Sequence, residues 1–120
     1  MSCIILIDDD KDMLKMTERW LIKAGYEVFS EESGAAALER IRSLEPDLVI
    51  LDYFMPEMDG PEILFSIRSE DRLKNIPVLF RTGMEDELPE DVQTRLQPGG
   101  VVSKAGGKAQ LLKAVSDVLG

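Results

Sequence analysis

A chain of 120 residues with 44% apolar side chains is long enough to bury a core without disulfides or metal staples, and too apolar to remain disordered. Fourteen basic against 23 acidic residues leave a net charge of −9, which repels nucleic acid and anionic membrane and excludes direct nucleic-acid binding as an expectation. No histidine is present, which removes the commonest acid/base group and nitrogen metal ligand. The one cysteine, Cys3, can form no internal disulfide and reads as a small core residue.

Cys3-Ile4-Ile5-Leu6-Ile7 is continuously apolar, which predicts an interior parallel strand buried on both faces. It closes on Asp8-Asp9-Asp10, and acids there also suit the start of a helix. Met13, Thr17, Trp20, Leu21 and Ala24 recur at helical spacing, with Trp20 in the core, and Gly25 is the stop. Tyr26 to Ser30 alternates, with Glu27 outward, as an edge strand does. Ser33 caps a helix carrying Ala35, Leu38 and Ile41, which Glu45-Pro46 ends.

Leu48-Val49-Ile50-Leu51-Asp52 is a second buried run, and it ends in a carboxylate. A loop from Tyr53 to Gly60 follows. Pro61 fits a first helical position, and Ile63, Leu64 and Ile67 continue that helix. Val78-Leu79-Phe80 is a third buried strand, closed by Arg81-Thr82-Gly83. Met84 to Gln97 is acidic, with Val92 and Leu96 as its apolar pair. It predicts a short helix from about Pro89 and the most mobile part of its face. After Gly99-Gly100, Val101 to Lys104 makes a last strand. Ala109 to Leu119, with Leu111, Leu112, Val115 and Leu119 on one face, makes the closing helix.

Five strand and helix pairs alternate over residues 1–120 without an internal repeat or low-complexity linker. This predicts one α/β domain, a doubly wound parallel sheet with helices on both faces. No stretch approaches the ~20 apolar residues of a membrane helix, and the N-terminal run is too short for a signal peptide, so no membrane contact is expected.

In such sheets the ligand crevice lies beyond the carboxyl ends of the strands. The residues there are Asp8 and Asp9 after the first strand, Asp52 after the third, Thr82 after the fourth and Lys104 after the fifth. Burying an unpaired charge costs several kcal/mol, and three carboxylates in one crevice also repel one another. A hard divalent cation relieves both costs. Mg²⁺ is the natural candidate, since it takes about six oxygens and keeps some waters. A threonine hydroxyl and a lysine ammonium facing the same crevice can hold a phosphoryl group. With no serine, cysteine or histidine suitably placed, a carboxylate is the remaining nucleophile.

Asp8-Asp9, Asp52 followed by Met55-Pro56 and Asp59-Gly60, Thr82-Gly83 and Lys104 together resemble the receiver domain of two-component response regulators, over essentially the whole chain. The resemblance implies a flavodoxin-like five-stranded sheet of order 2-1-3-4-5. It implies that Asp52 accepts a phosphoryl group from a sensor histidine kinase or a histidine phosphotransfer protein, and that a conformational switch is read by an output partner the sequence does not identify. It further implies Mg²⁺ bound directly by Asp9 and Asp52, through water by Asp8, and by the backbone carbonyl of Phe54. Lys104 would pair with the phosphoryl group and Thr82 would move to hydrogen-bond it. So read, the chain is a cytoplasmic phosphoacceptor capable at most of self-catalysed phosphotransfer and slow autodephosphorylation, not a turnover enzyme.

Some positions depart from the family pattern. Ala105 stands where most relatives have proline, and a cis peptide costs ~0.5–1 kcal/mol before proline but ~2.5–4 before another residue, so a trans bond and an altered loop are expected. Val101 stands where relatives often carry an aromatic switch residue. Phe54 and Met84, two residues beyond Asp52 and Thr82, are apolar, which predicts slow hydrolysis of the aspartyl phosphate. Two other functions fit parts of the pattern. One is a pseudo-receiver, binding partners without phosphorylation. The other is a haloacid-dehalogenase-type phosphatase, which places a further aspartate where this chain has Phe54.

Overall fold

A computed structural model describes residues 2–53, 60–82, 89–96 and 99–120; Phe54 and Met84, and most of the stretch from Met84 to Pro89, lie outside the described residues. The strands are β1 (Cys3–Ile7), β2 (Glu27–Glu31), β3 (Leu48–Asp52), β4 (Val78–Thr82) and β5 (Gly99–Ser103). The helices are α1 (Lys11–Lys23), α2 (Gly34–Leu44), α3 (Gly60–Ser69), α4 (Glu90–Arg95) and α5 (Gly107–Leu119), with a 3₁₀ turn at Lys104–Gly106. All strand pairings are parallel and the order is β2-β1-β3-β4-β5, the doubly wound arrangement expected.

Strand side chains alternate between faces, so the apolar runs divide into two cores. Ile5, Ile7, Val49, Leu51, Val78 and Phe80 pack with the buried residues of α2, α3 and α4. Ile4, Leu6, Leu48, Ile50 and Leu79 pack with Leu14 and Leu21 of α1 and Leu111 and Val115 of α5. Burial of each such side chain contributes roughly 1.5–3 kcal/mol. Among the described residues no helix is long and apolar enough to cross a membrane.

The departures from expectation are mostly at edges and on small residues. In α1 the buried stripe is Leu14, Thr17 and Leu21; Trp20 is half-buried against the second core, and Ala24 is exposed because it is the C-cap. In α2 the buried alanine is Ala37, not Ala35, because Gly34, Ala37, Leu38 and Ile41 share the face toward the sheet. Ser33 caps that helix, its Oγ accepting from Ala36 N at 3.3 Å. Cys3 is half-buried at the start of β1 rather than in the core. Helix α4 follows Pro89 as expected, and Arg68 of α3 ties it down by donating to the carbonyls of Ile76 at 2.7 Å and Leu96 at 3.3 Å.

Two strand ends matter for function. The fourth strand does not stop at Phe80 but continues through Arg81 and Thr82, both buried, so Arg81 is carried into the interior. The fifth stops at Ser103 and leaves Lys104 in the 3₁₀ turn, where Ser103 Oγ accepts from Ala105 N at 3.2 Å.

Candidate functional site

The run Asp8-Asp9-Asp10 divides its labour. Asp10 is the N-cap of α1, its carboxylate accepting from Asp12 N at 3.0 Å and Met13 N at 3.1 Å. Asp8 turns inward, 2% exposed, with Oδ1 accepting from Asp10 N at 3.0 Å, while Asp9 stays exposed. Asp52 closes β3 at 6% exposure.

Gly60 lets α3 begin directly against the end of β3. Its N–H donates to Tyr53 O at 2.9 Å, and a Cβ there would stand 2.9 Å from Asp52 O and 2.8 Å from the ring of Phe80.

One carboxylate oxygen each from Asp8, Asp9 and Asp52 lies within 4.8 Å of the others, a spacing that could hold a metal ion. Oxygen-only, acidic donors of this kind suit a hard divalent cation. Lys104 Nζ lies 3.0 Å from Asp52 Oδ2 and 3.7 Å from Asp8 Oδ2. Thr82 is buried at the end of β4, paired in register with Ser103, the residue before the lysine. The five side chains singled out in the sequence thus come to one rim of the sheet; the carbonyl of Phe54 lies outside the described residues.

Electrostatically the rim is under tension. Burial pushes the Asp52 carboxyl up to about 6; the hydrogen bond from Lys104 works against that, and the charge of Asp8 adds to it.

The sequence reading missed Arg81. It is 3% exposed and is the cross-strand partner of Asp52. Its Nη1 donates to Thr17 Oγ1 at 2.8 Å, and Nε finds no hydrogen-bonding partner. Burial lowers its pKa, while the charges of Asp8 and Asp52 oppose that shift. Two signals were available in the sequence: Thr17 on an apolar helix stripe, a hydroxyl in need of a partner, and a basic residue two positions after Leu79 on the same strand face.

Residues 4–116 match the family described as the response regulator receiver domain. The chain belongs to that family. Among its relatives, the receiver domain is 29% identical over 116 residues to the chemotaxis protein CheY of Halobacterium salinarum, covering 96% of this chain and 95% of that one. It is 30% identical over 116 residues to the transcriptional regulatory protein GltR of Pseudomonas aeruginosa, covering 97% of this chain but 48% of the relative, so the chain spans about half the length of that protein. The structure of the chemotaxis response regulator CheY4 of Vibrio cholerae superposes with a TM-score of 0.89 at 28% identity, covering 99% of both chains.

Proposed function

We propose that this receiver domain is a phosphorylation-controlled switch in which Asp52 accepts a phosphoryl group from a phosphohistidine on a sensor histidine kinase or histidine phosphotransfer protein. A carboxylate oxygen of Asp52 attacks phosphorus, the P–O bond forms as the P–N bond breaks, and the imidazole leaves with its electron pair and takes up a proton. Asp8, Asp9 and Asp52, with the carbonyl of Phe54, are the groups that would hold Mg²⁺, which when bound neutralises charge on the phosphoryl oxygens. Asp8 directs its carboxylate into the site because Asp10 N–H holds the other oxygen. Lys104 donates to the acids before transfer and to a phosphoryl oxygen afterwards, and the Thr82 hydroxyl turns to the same group.

The observation that carries this proposal is the Lys104 ammonium, delivered from the turn after β5, reaching both Asp52 and Asp8. We read the chain over residues 1–120 as one phosphoacceptor domain in the cytoplasm, a signalling component and not a turnover enzyme. Incubation with Mg²⁺ and acetyl phosphate or beryllofluoride, followed by intact-mass and NMR measurement, tests it. The expected result is one phosphoryl group, labile to base and to hydroxylamine as an acyl phosphate is, and lost in Asp52→Asn. No modification, together with an unchanged spectrum on beryllofluoride, identifies a pseudo-receiver; steady release of phosphate from simple esters identifies a phosphatase.

A further inference from the structure

We propose that Arg81 is a built-in counter-charge of the acidic rim, a positioning residue that shares with the metal ion the task of holding Asp8 and Asp52 together. The inference rests on the reading of that rim as a Mg²⁺ and phosphoryl site.

The geometry begins with strand register. Asp52 and Arg81 are partners on neighbouring parallel strands, and partnered residues project to the same face. That face is the one covered by α1 and α5, since Leu48, Ile50 and Leu79 all belong to the core beneath those helices. The guanidinium is therefore enclosed between sheet and helix, and its anchor is Thr17 of α1. Thr17 is itself fully buried, so its hydroxyl anchors the guanidinium in the interior.

A buried arginine needs more than one hydroxyl to offset its desolvation. Nε of Arg81 is the one buried side-chain nitrogen or oxygen among the described residues without a hydrogen bond. Beside the Thr17 hydroxyl, the charges of Asp8 and Asp52 help to compensate the guanidinium. Lys104 meets the same two acids from the open side of the rim. The acids thus share the rim with a partly exposed lysine after β5 and a buried arginine on β4.

Two consequences follow. A fixed positive charge under the rim lowers the repulsion between Asp8 and Asp52 when no metal is bound, so the rim keeps its shape in that state. The same charge repels a divalent cation, so the site binds Mg²⁺ more weakly than its three carboxylates alone would. Arg81 thereby sets how much metal the domain needs.

Calorimetric titration with Mg²⁺ at fixed ionic strength, on wild type, Arg81→Met, Arg81→Gln and Arg81→Lys, tests this. Removing the charge is expected to tighten Mg²⁺ binding roughly tenfold in Arg81→Met and Arg81→Gln, whereas Arg81→Lys, which keeps the charge, stays within about twofold of wild type. The sign separates charge from packing, because damage to the fold loosens a metal site. Arg81→Gln keeps a donor for Thr17 and serves if the methionine variant does not fold by circular dichroism. Mg²⁺ affinity that is unchanged or weaker in the neutral variants, beside a wild type that binds Mg²⁺ and takes phosphate from acetyl phosphate, overturns the role of Arg81 alone. A wild type that does neither overturns the reading of the rim as well.

Discussion

Lys104 Nζ, delivered from the turn after β5, lies 3.0 Å from Asp52 Oδ2 at the end of β3, so the lysine reaches across the end of the intervening strand β4. That bond restrains the Asp52 carboxyl, which burial drives upward. In Lys104→Met the carboxyl is expected to titrate higher than in wild type, read by carbon-13 NMR of the Asp52 side chain. Phosphorylation by acetyl phosphate should slow by roughly tenfold or more, the scale of losing one charge-stabilising donor. An unmoved titration would show that the contact is incidental.

With Asp52 pushed up from 3.8 to about 6, the folded chain holds its proton more tightly than the unfolded chain. The penalty for carrying this buried charge is absent below the lower value and complete above the upper one. In metal-free buffer, stability therefore falls as pH rises through that window. The chain has no histidine to mask the upper part of that window. Asp52→Asn should lose the slope and be more stable than wild type at neutral pH, as urea melts at the two pH values would reveal. Mg²⁺, competing with the same proton, should bind more weakly below about pH 6.

Gly60→Ala places a methyl group 2.8 Å from the Phe80 ring and 2.9 Å from the Asp52 carbonyl. Overpacking of this kind costs about 1–3 kcal/mol. The start of α3 must retreat from the strand end, so the variant is expected to melt earlier and also to take up phosphate more slowly. Normal stability in denaturant titration would mean that the helix start yields freely.

Phe54 and Met84, two residues beyond Asp52 and Thr82 in sequence, offer no polar group to orient a water molecule. The phosphoryl group on Asp52 is expected to persist well beyond seconds in Mg²⁺, and Phe54→Asn should shorten its life. Time-resolved phosphate release after removal of acetyl phosphate measures both; decay within seconds in the wild type contradicts the expectation.

The sheet and its rim were legible because their signals are local. Continuous apolar runs such as Ile4 to Ile7 and Leu48 to Leu51 announce interior strands, and each run of that kind ends in a polar residue at the position where such sheets keep their sites. Ala35 and Ala37 were exchanged because alanine gives a weak periodic signal in a helix rich in it. Arg81 escaped notice for a different reason. A basic residue after three apolar ones reads as the surface end of a strand, whereas here the strand runs on through it and its hydroxyl partner, Thr17, lies 64 positions away. The hydrogen bond is tertiary, and no window of sequence contains both partners.

Asp8, Asp52, Thr82 and Lys104 each follow or finish a different strand, and the strands are locked in register by backbone hydrogen bonds. An inserted residue within β3 would turn Asp52 toward the α3 side, because side-chain direction reverses at every step. The domain can therefore accept changes of length in the connections at the opposite, amino-terminal edge of the sheet, but each strand must keep its residue count. Whatever diversifies this scaffold has to do so by substitution at the rim and by insertion elsewhere.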